Sequence, residues 1–290
     1  MISGVGASRT GEWIKQEVQG TELPDQRLKT RLTTILTALS KAPERSIPAS
    51  CANWPEVLGC YRFLDNPHVS FEGILSGHRA ATLERVRREA IALVVQDTST
   101  ITVSRTVAVG LGGTARDVVT DPCHLHVSVA FSPARVPLGV VKGTFWHRAG
   151  RLSEPERRRP ERRPLEERES CRWLTHSQEA CTLQATCPQT LVLMIADREG
   201  DMHDIFVQAQ PQPRKARAAY IIRAQTNRRT QTSYLWEDLE KAQELGTFEL
   251  TLPRRSNQPA RQARIALRAK SLVLISSKNY KRAPVAVYAV

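Results

Sequence analysis

The stretch Ile91-Ala92-Leu93-Val94-Val95-Gln96-Asp97-Thr98-Ser99-Thr100 runs from apolar residues into a carboxylate. A second stretch, Leu191-Val192-Leu193-Met194-Ile195-Ala196-Asp197-Arg198-Glu199-Gly200-Asp201, repeats the arrangement. Short apolar runs of this kind read as buried strands. A carboxylate at the mouth of such a strand is costly unless it is paired or bound to a cation. Two of them on neighbouring strands would make an all-oxygen site suited to Mg²⁺ and to phosphoryl transfer.

The charge balance agrees with a polyanionic substrate. Among 290 residues, 42 Lys and Arg face 29 Asp and Glu, a net charge of +13. Each phosphate neutralised by such a chain releases counterions, which favours nucleic acid as the partner. A basic balance alone also fits ribosomal or membrane-surface proteins. The six cysteines form no CxxC pair, and no Cys/His spacing matches a zinc site. Cys123-His124-Leu125-His126 reads as strand entry, and His126 as a core histidine rather than a ligand. The N-terminus carries no apolar signal segment and no run is long enough to cross a bilayer. The expectation is a soluble, cytoplasmic protein with reduced thiols.

Outward from the two strands, the chain divides into three. Residues 1–89 read as helical. Leu28, Leu32, Ile35, Leu36 and Leu39 recur at helix spacing between Pro24 and Pro43. A further helix is predicted over Trp54–Leu64, with Pro55 in its first turn and Asn66-Pro67 ending it. Ser70 reads as the N-cap of a helix bearing Phe71, Ile74 and Leu75, with another helix over Arg79–Glu89. Trp54, Tyr61 and Phe63 read as core aromatics. Residues 90–210 read as a mixed α/β core with strands Ala92–Gln96, Thr100–Val107, Leu125–Phe131, Pro137–Trp146 and Leu191–Ala196. Within it, the Pro-, Arg- and Glu-rich segment 148–170 reads as a solvated loop. Helices are predicted over Glu166–Cys181 and Met202–Gln208. Residues 211–290 read as β-rich: Ala219–Arg223, Gly246–Leu252, Arg261–Arg268, Ser271–Ser276 and Pro284–Val290, with one helix near Leu235–Leu245.

Several pieces together resemble cut-and-paste bacterial transposases of the insertion-sequence-four type. In the helical part they are Leu23-Pro24-Asp25-Gln26-Arg27-Leu28 with Arg31-Leu32, Ser46-Ile47-Pro48, Gly59-Cys60-Tyr61-Arg62-Phe63-Leu64-Asp65-Asn66 and His78-Arg79-Ala80-Ala81-Thr82. In the core they are Gln96-Asp97-Thr98-Ser99, Leu125-His126, Glu167-Arg168-Glu169-Ser170-Cys171-Arg172-Trp173-Leu174 and Asp197-Arg198-Glu199-Gly200-Asp201. The resemblance implies an α+β fold: an N-terminal helical DNA-binding domain, then a ribonuclease-H-like core with a β-rich insertion. It implies a DDE enzyme whose three acidic residues hold two Mg²⁺ (or Mn²⁺) ions, Asp97 matching the first and Asp197 the second. It also implies double-stranded transposon-end DNA as partner, a homodimer on that DNA, and DNA contacts from Arg31, Arg62, Arg198 and Arg223, with Arg27 and Arg105 beside them.

The third acid should be a Glu in a Tyr-x-x-Arg-x-x-x-Glu pattern. Tyr220-Ile221-Ile222-Arg223 begins it, but Asn227 stands where the Glu should be. The core is therefore expected to be incomplete, the chain a C-terminally truncated transposase with little activity alone. Two other readings stay open. One is a DNA-binding remnant that competes for transposon ends, the other an unrelated two-metal nuclease using Glu237 or Glu240. Taken singly, Asp97 could be a turn cap, Asp197 an Asx turn or N-cap, and each Arg an ordinary surface residue.

Overall fold

The computed structural model describes residues 6–101, 123–146, 170–208, 217–256, 258–276 and 283–290. Its first compact unit comprises Met1–Ile195 with Lys215–Tyr220, and its second Ala196–Arg214 with Ile221–Val290.

The first unit opens with five helices: α1 Gly6–Gln19, α2 Gln26–Lys41, α3 Ile47–Ser50, α4 Trp54–Leu64 and α5 Phe71–Val86. Their caps are written in the sequence. Asp25 accepts from the Arg27 amide at 2.7 Å, Asn53 from Glu56 at 3.0 Å and Ser70 from Gly73 at 3.0 Å. Apolar residues at helical spacing then meet in one cluster: Ile14 and Val18 of α1, Leu32 and Ile35 of α2, and Cys60 and Phe63 of α4, with Leu23.

Two helices expected between Ser70 and Glu89 are a single one. Gly77, a residue that often ends a helix, here gives α1 room: a Cβ on it would collide with the Glu17 carbonyl and the Thr21 hydroxyl. The reading of Trp54 and Tyr61 as core also gives way, since they are 65% and 42% exposed while Phe63 is 3%. At about 100° per residue, Phe63 lies about 180° around α4 from Trp54 and cannot share its face.

Five strands follow: β1 Ile91–Ile101, β2 Cys123–Phe131, β3 Pro137–Trp146, β4 Leu191–Ala196 and β5 Ala219–Ile222. They form one sheet in the order β3-β2-β1-β4-β5. β1 pairs antiparallel with β2, and β2 with β3, while β1 and β4 are parallel. β1 was expected to stop at Gln96 but runs on to Ile101, because Thr98, Ser99 and Thr100 keep pairing with β2 down to Ile101↔Cys123. Residues 102–107, the rest of the expected second strand, lie outside the described residues, as does the segment 148–169.

Helix α6, Cys171–Thr186, covers the sheet face bearing Ala92, Val94, Gln96, His126 and Ser128. His176 of α6 is fully buried there, with the Ser128 hydroxyl 2.6 Å from Nδ1 and the Thr144 hydroxyl 3.0 Å from Nε2. His126 is also buried. Its ring meets Thr98 at 2.8 Å and lies edge-on to Trp173, as a core histidine would.

No compact boundary falls at residue 89, where the sequence changes from helical to strand-like. Helix α5 is fastened to β3 by the Phe71–Phe145 ring pair at 5.1 Å and by Arg85 bonding the Leu138 carbonyl. His78 accepts from the Val140 amide at 2.7 Å and, through its other ring nitrogen, reaches Glu17 of α1 at 2.6 Å. Arg85 reaches the same carboxylate at 2.6 Å.

The second unit holds a 3₁₀ turn at Arg198–Gly200, α7 His203–Gln208, α8 Leu235–Glu240 and two hairpins. β6 Glu244–Leu252 pairs with β7 Arg261–Arg268, and β8 Lys270–Leu274 with β9 Val285–Ala289. Leu245, expected at the end of a helix, is strand: α8 stops at Glu240 and Lys241 caps it. Asp238 of α8 is buried among the Thr230 and Thr232 hydroxyls and Lys270, the last at 2.7 Å. The Lys270 ammonium first, then the Thr230 hydroxyl, hold its carboxyl at a pKa of about 2. The unit begins at Ala196.

Candidate nucleic-acid interface

Helix α4 presents three residues, Val57, Cys60 and Phe63, to the core. The face next to them carries Pro55, Leu58, Gly59 and Arg62, which repeat at three- and four-residue steps. Opposite stands the start of α2, with Arg27, Leu28 and Arg31. Together with Pro24, Asp25, Asn66 and His68 these residues line a groove of about 930 Å³. Three arginines expected from the sequence to touch DNA thus converge on one concave surface with apolar walls.

Their electrostatics differ. Arg27 is engaged by Asp25, with Nη2 to Oδ2 at 2.7 Å and Nε to the same oxygen at 3.0 Å. That bidentate hydrogen bond holds the Asp25 carboxyl below the usual carboxylate range. Arg31 and Arg62 are exposed, and neither has a carboxylate partner among the described residues. The groove thus carries two guanidiniums without a carboxylate partner, while its one carboxylate, Asp25, is occupied by Arg27.

The remaining candidates lie elsewhere. Asp97 belongs to the first unit, inside β1 opposite Val127, and not past the strand's end as expected. It is exposed, and one oxygen accepts from the Thr98 amide at 2.8 Å. Asp197 belongs to the second unit, where it caps the 3₁₀ turn by accepting from the Glu199 amide at 2.9 Å. This is the Asx turn that the bland reading of the sequence describes. Arg198 is exposed in that turn. Arg223 is exposed as well, its amide bonded to the Ala196 carbonyl at 3.1 Å. Arg105 lies outside the described residues. Asn227 does not mimic a catalytic Glu: it accepts from the Trp236 amide at 3.0 Å and donates to Glu237 at 3.3 Å, pinning the start of α8. Among the described residues no cluster of three or more His, Cys, Asp or Glu could hold a metal ion.

Residues 10–69 match the family model for transposase DNA-binding domains. Every residue lining the groove falls inside that span. The chain carries a transposase DNA-binding domain. It comprises α2, α3, α4 and most of α1, and DNA is its partner. Among the described residues no helix is long and apolar enough to cross a membrane.

Sequence reasoning named Arg27, Arg31 and Arg62, which line this groove, but assigned no role to Gly59 or His68, which line it too. A signal for Gly59 was present, since glycine inside a predicted helix is unfavourable and usually has a packing reason. For His68, after Asn66-Pro67, the sequence offered no such signal.

Proposed function

We propose that this chain is a transposase of the DDE type, similar to the insertion-sequence-four group, and that it grips the end DNA of its element through the α2–α4 groove. The observation that carries the reading is the pair Arg31 and Arg62, both without carboxylate partners among the described residues, in one groove of the DNA-binding domain. Backbone phosphates would neutralise both charges, and duplex binding would weaken steeply with salt.

A ribonuclease-H-like core is supported by the strand order, three antiparallel strands followed by a parallel crossover to β4. β1 and β4 pair in parallel from Ile91↔Leu191 to Val95↔Ile195. The donor chemistry fits Mg²⁺, since Asp97 and Asp197 are exposed hard-oxygen ligands that each accept one backbone N–H. A bound Mg²⁺ would supply Lewis-acid stabilisation of a phosphodiester oxygen.

The test is binding of the full chain to duplexes bearing the sequences that flank its gene, with scrambled duplexes and Asp97→Ala as controls, in Mg²⁺. Salt-sensitive binding that survives Asp97→Ala but falls at least tenfold in Arg31→Ala/Arg62→Ala is expected, each phosphate contact being a charge-assisted bond. Unchanged affinity and salt slope in the double variant would overturn the groove assignment. Cleavage by the wild type that Asp97→Ala lacks would show that this chain completes its own carboxylate set.

A further inference from the structure

Gly59 sits in the middle of α4, where glycine is unfavourable relative to alanine. Its backbone φ is not positive, so turn geometry does not demand it. What occupies the space is the Arg31 guanidinium. A Cβ on Gly59 would lie 2.5 Å from Nη1, 2.8 Å from Cζ and 3.3 Å from Nε of Arg31, and no atom of any other residue is among its three nearest neighbours. The end of the arginine therefore lies against the bare backbone of the opposite helix.

We propose that Gly59 is a positioning residue for DNA. It leaves a seat on α4 in which the Arg31 guanidinium is held in the groove, one helical step from Arg62, ready for a backbone phosphate. This rests on the groove reading above. An arginine held this way loses less side-chain freedom when it binds than one free in solvent, so more of its phosphate contact is realised as affinity. The seat works only without a side chain. The colliding atoms are the far end of a flexible chain, so Gly59→Ala evicts the guanidinium without disturbing the helices.

The experiment measures the affinity of the full chain for a fluorescein-labelled DNA duplex over a series of KCl concentrations. Wild type, Gly59→Ala, Arg31→Ala and the double variant are compared, each with its thermal unfolding midpoint. Gly59→Ala is expected to bind about tenfold more weakly, the loss of one charge-assisted contact. Its plot of log affinity against log salt should be shallower by about 0.9, the value of one phosphate. Its unfolding midpoint should match or exceed that of wild type. The double variant should bind no more weakly than Arg31→Ala alone. If Gly59→Ala keeps wild-type affinity and slope while Arg31→Ala loses both, the seat is refuted and the groove stands. If Arg31→Ala also binds like wild type, the assignment of Arg31 within the groove fails first. If Gly59→Ala unfolds, and unfolds equally with Arg31 removed, the glycine serves helix packing and the proposal is wrong.

Discussion

Asp201 turns its carboxylate inward, and its side chain is 4% exposed. It accepts from Arg228 Nε at 3.0 Å and Nη2 at 2.7 Å, and from the Gln225 and Thr226 amides at 2.8 and 2.9 Å. Arg228 in turn lies over the Phe206 ring, 5.6 Å from its centroid. Removing one member of a buried ion pair leaves the other charge desolvated and unpaired, which typically costs about 3–5 kcal/mol. Asp201→Ala is therefore expected to unfold the second unit at markedly lower urea, measured by denaturation curves. Asp197, four residues earlier, is exposed and accepts one backbone bond, so Asp197→Ala should cost no more than a lost cap, about 1 kcal/mol. Equal losses in the two variants would refute this division. In sequence the two aspartates of Asp197-Arg198-Glu199-Gly200-Asp201 look alike. What separates them is a partner that arrives from residue 228, and spacing carries no information about that.

At the scale of elements, the same substitution should act oppositely in two helices. Gly77→Ala puts a methyl into the Glu17 carbonyl and the Thr21 hydroxyl and amide, so α1 itself must move. Overpacking of this kind costs about 1–3 kcal/mol. In Gly59→Ala only a guanidinium tip must move, and helix propensity gains up to about 1 kcal/mol. Thermal unfolding of the two variants side by side checks the pair, and a Gly77→Ala as stable as wild type would show that α1 and α5 are not in close contact. Gly59 falls inside a helix whose existence was legible, and Gly77 between two expected helices that are one, because caps and apolar spacing are local signals: Asn53 and Pro55 open α4, and Ser70 opens α5. β4 was equally plain, its six apolar residues bounded on both sides. The missed features are tertiary. β1 continues past Asp97 because β2 pairs with it, and α5 continues through Gly77 because α1 needs the room. Of the groove, the three arginines were named from the sequence. Their convergence could not be read there, since it depends on the angle at which α2 meets α4.

At the scale of the whole molecule, acid should weaken the fold before the carboxylates titrate. His126 and His176 are both fully buried, their rings 4.4 Å apart. Burial, and then the charge of Arg172, lowers the His126 pKa to about 4. Burial, followed by the neighbouring His126, Lys142 and Arg172, lowers that of His176 to about 3. An unfolded imidazole titrates near 6.5. Above that pH neither state binds a proton, and the pair contributes nothing to pH dependence. Below it the unfolded chain takes up two protons that the folded chain refuses, so stability falls as pH falls, until the buried rings themselves protonate near 4 and 3. Each ring contributes a slope approaching about 1.4 kcal/mol per pH unit in this window. The buried carboxylate Glu17 does not share the window. Burial alone would raise its pKa, but hydrogen bonds from His78 and Arg85 outweigh that and lower it. Urea midpoints should therefore drop steadily between about pH 6.5 and 5, while the positive charge of +13 at neutral pH grows and adds repulsion. Replacing His176 by Gln, which cannot take up a proton, should remove close to half of that slope whatever it does to stability at neutral pH. A midpoint that is flat across the window, or a slope unchanged in His176→Gln, would mean that the two rings are not held neutral in the folded protein.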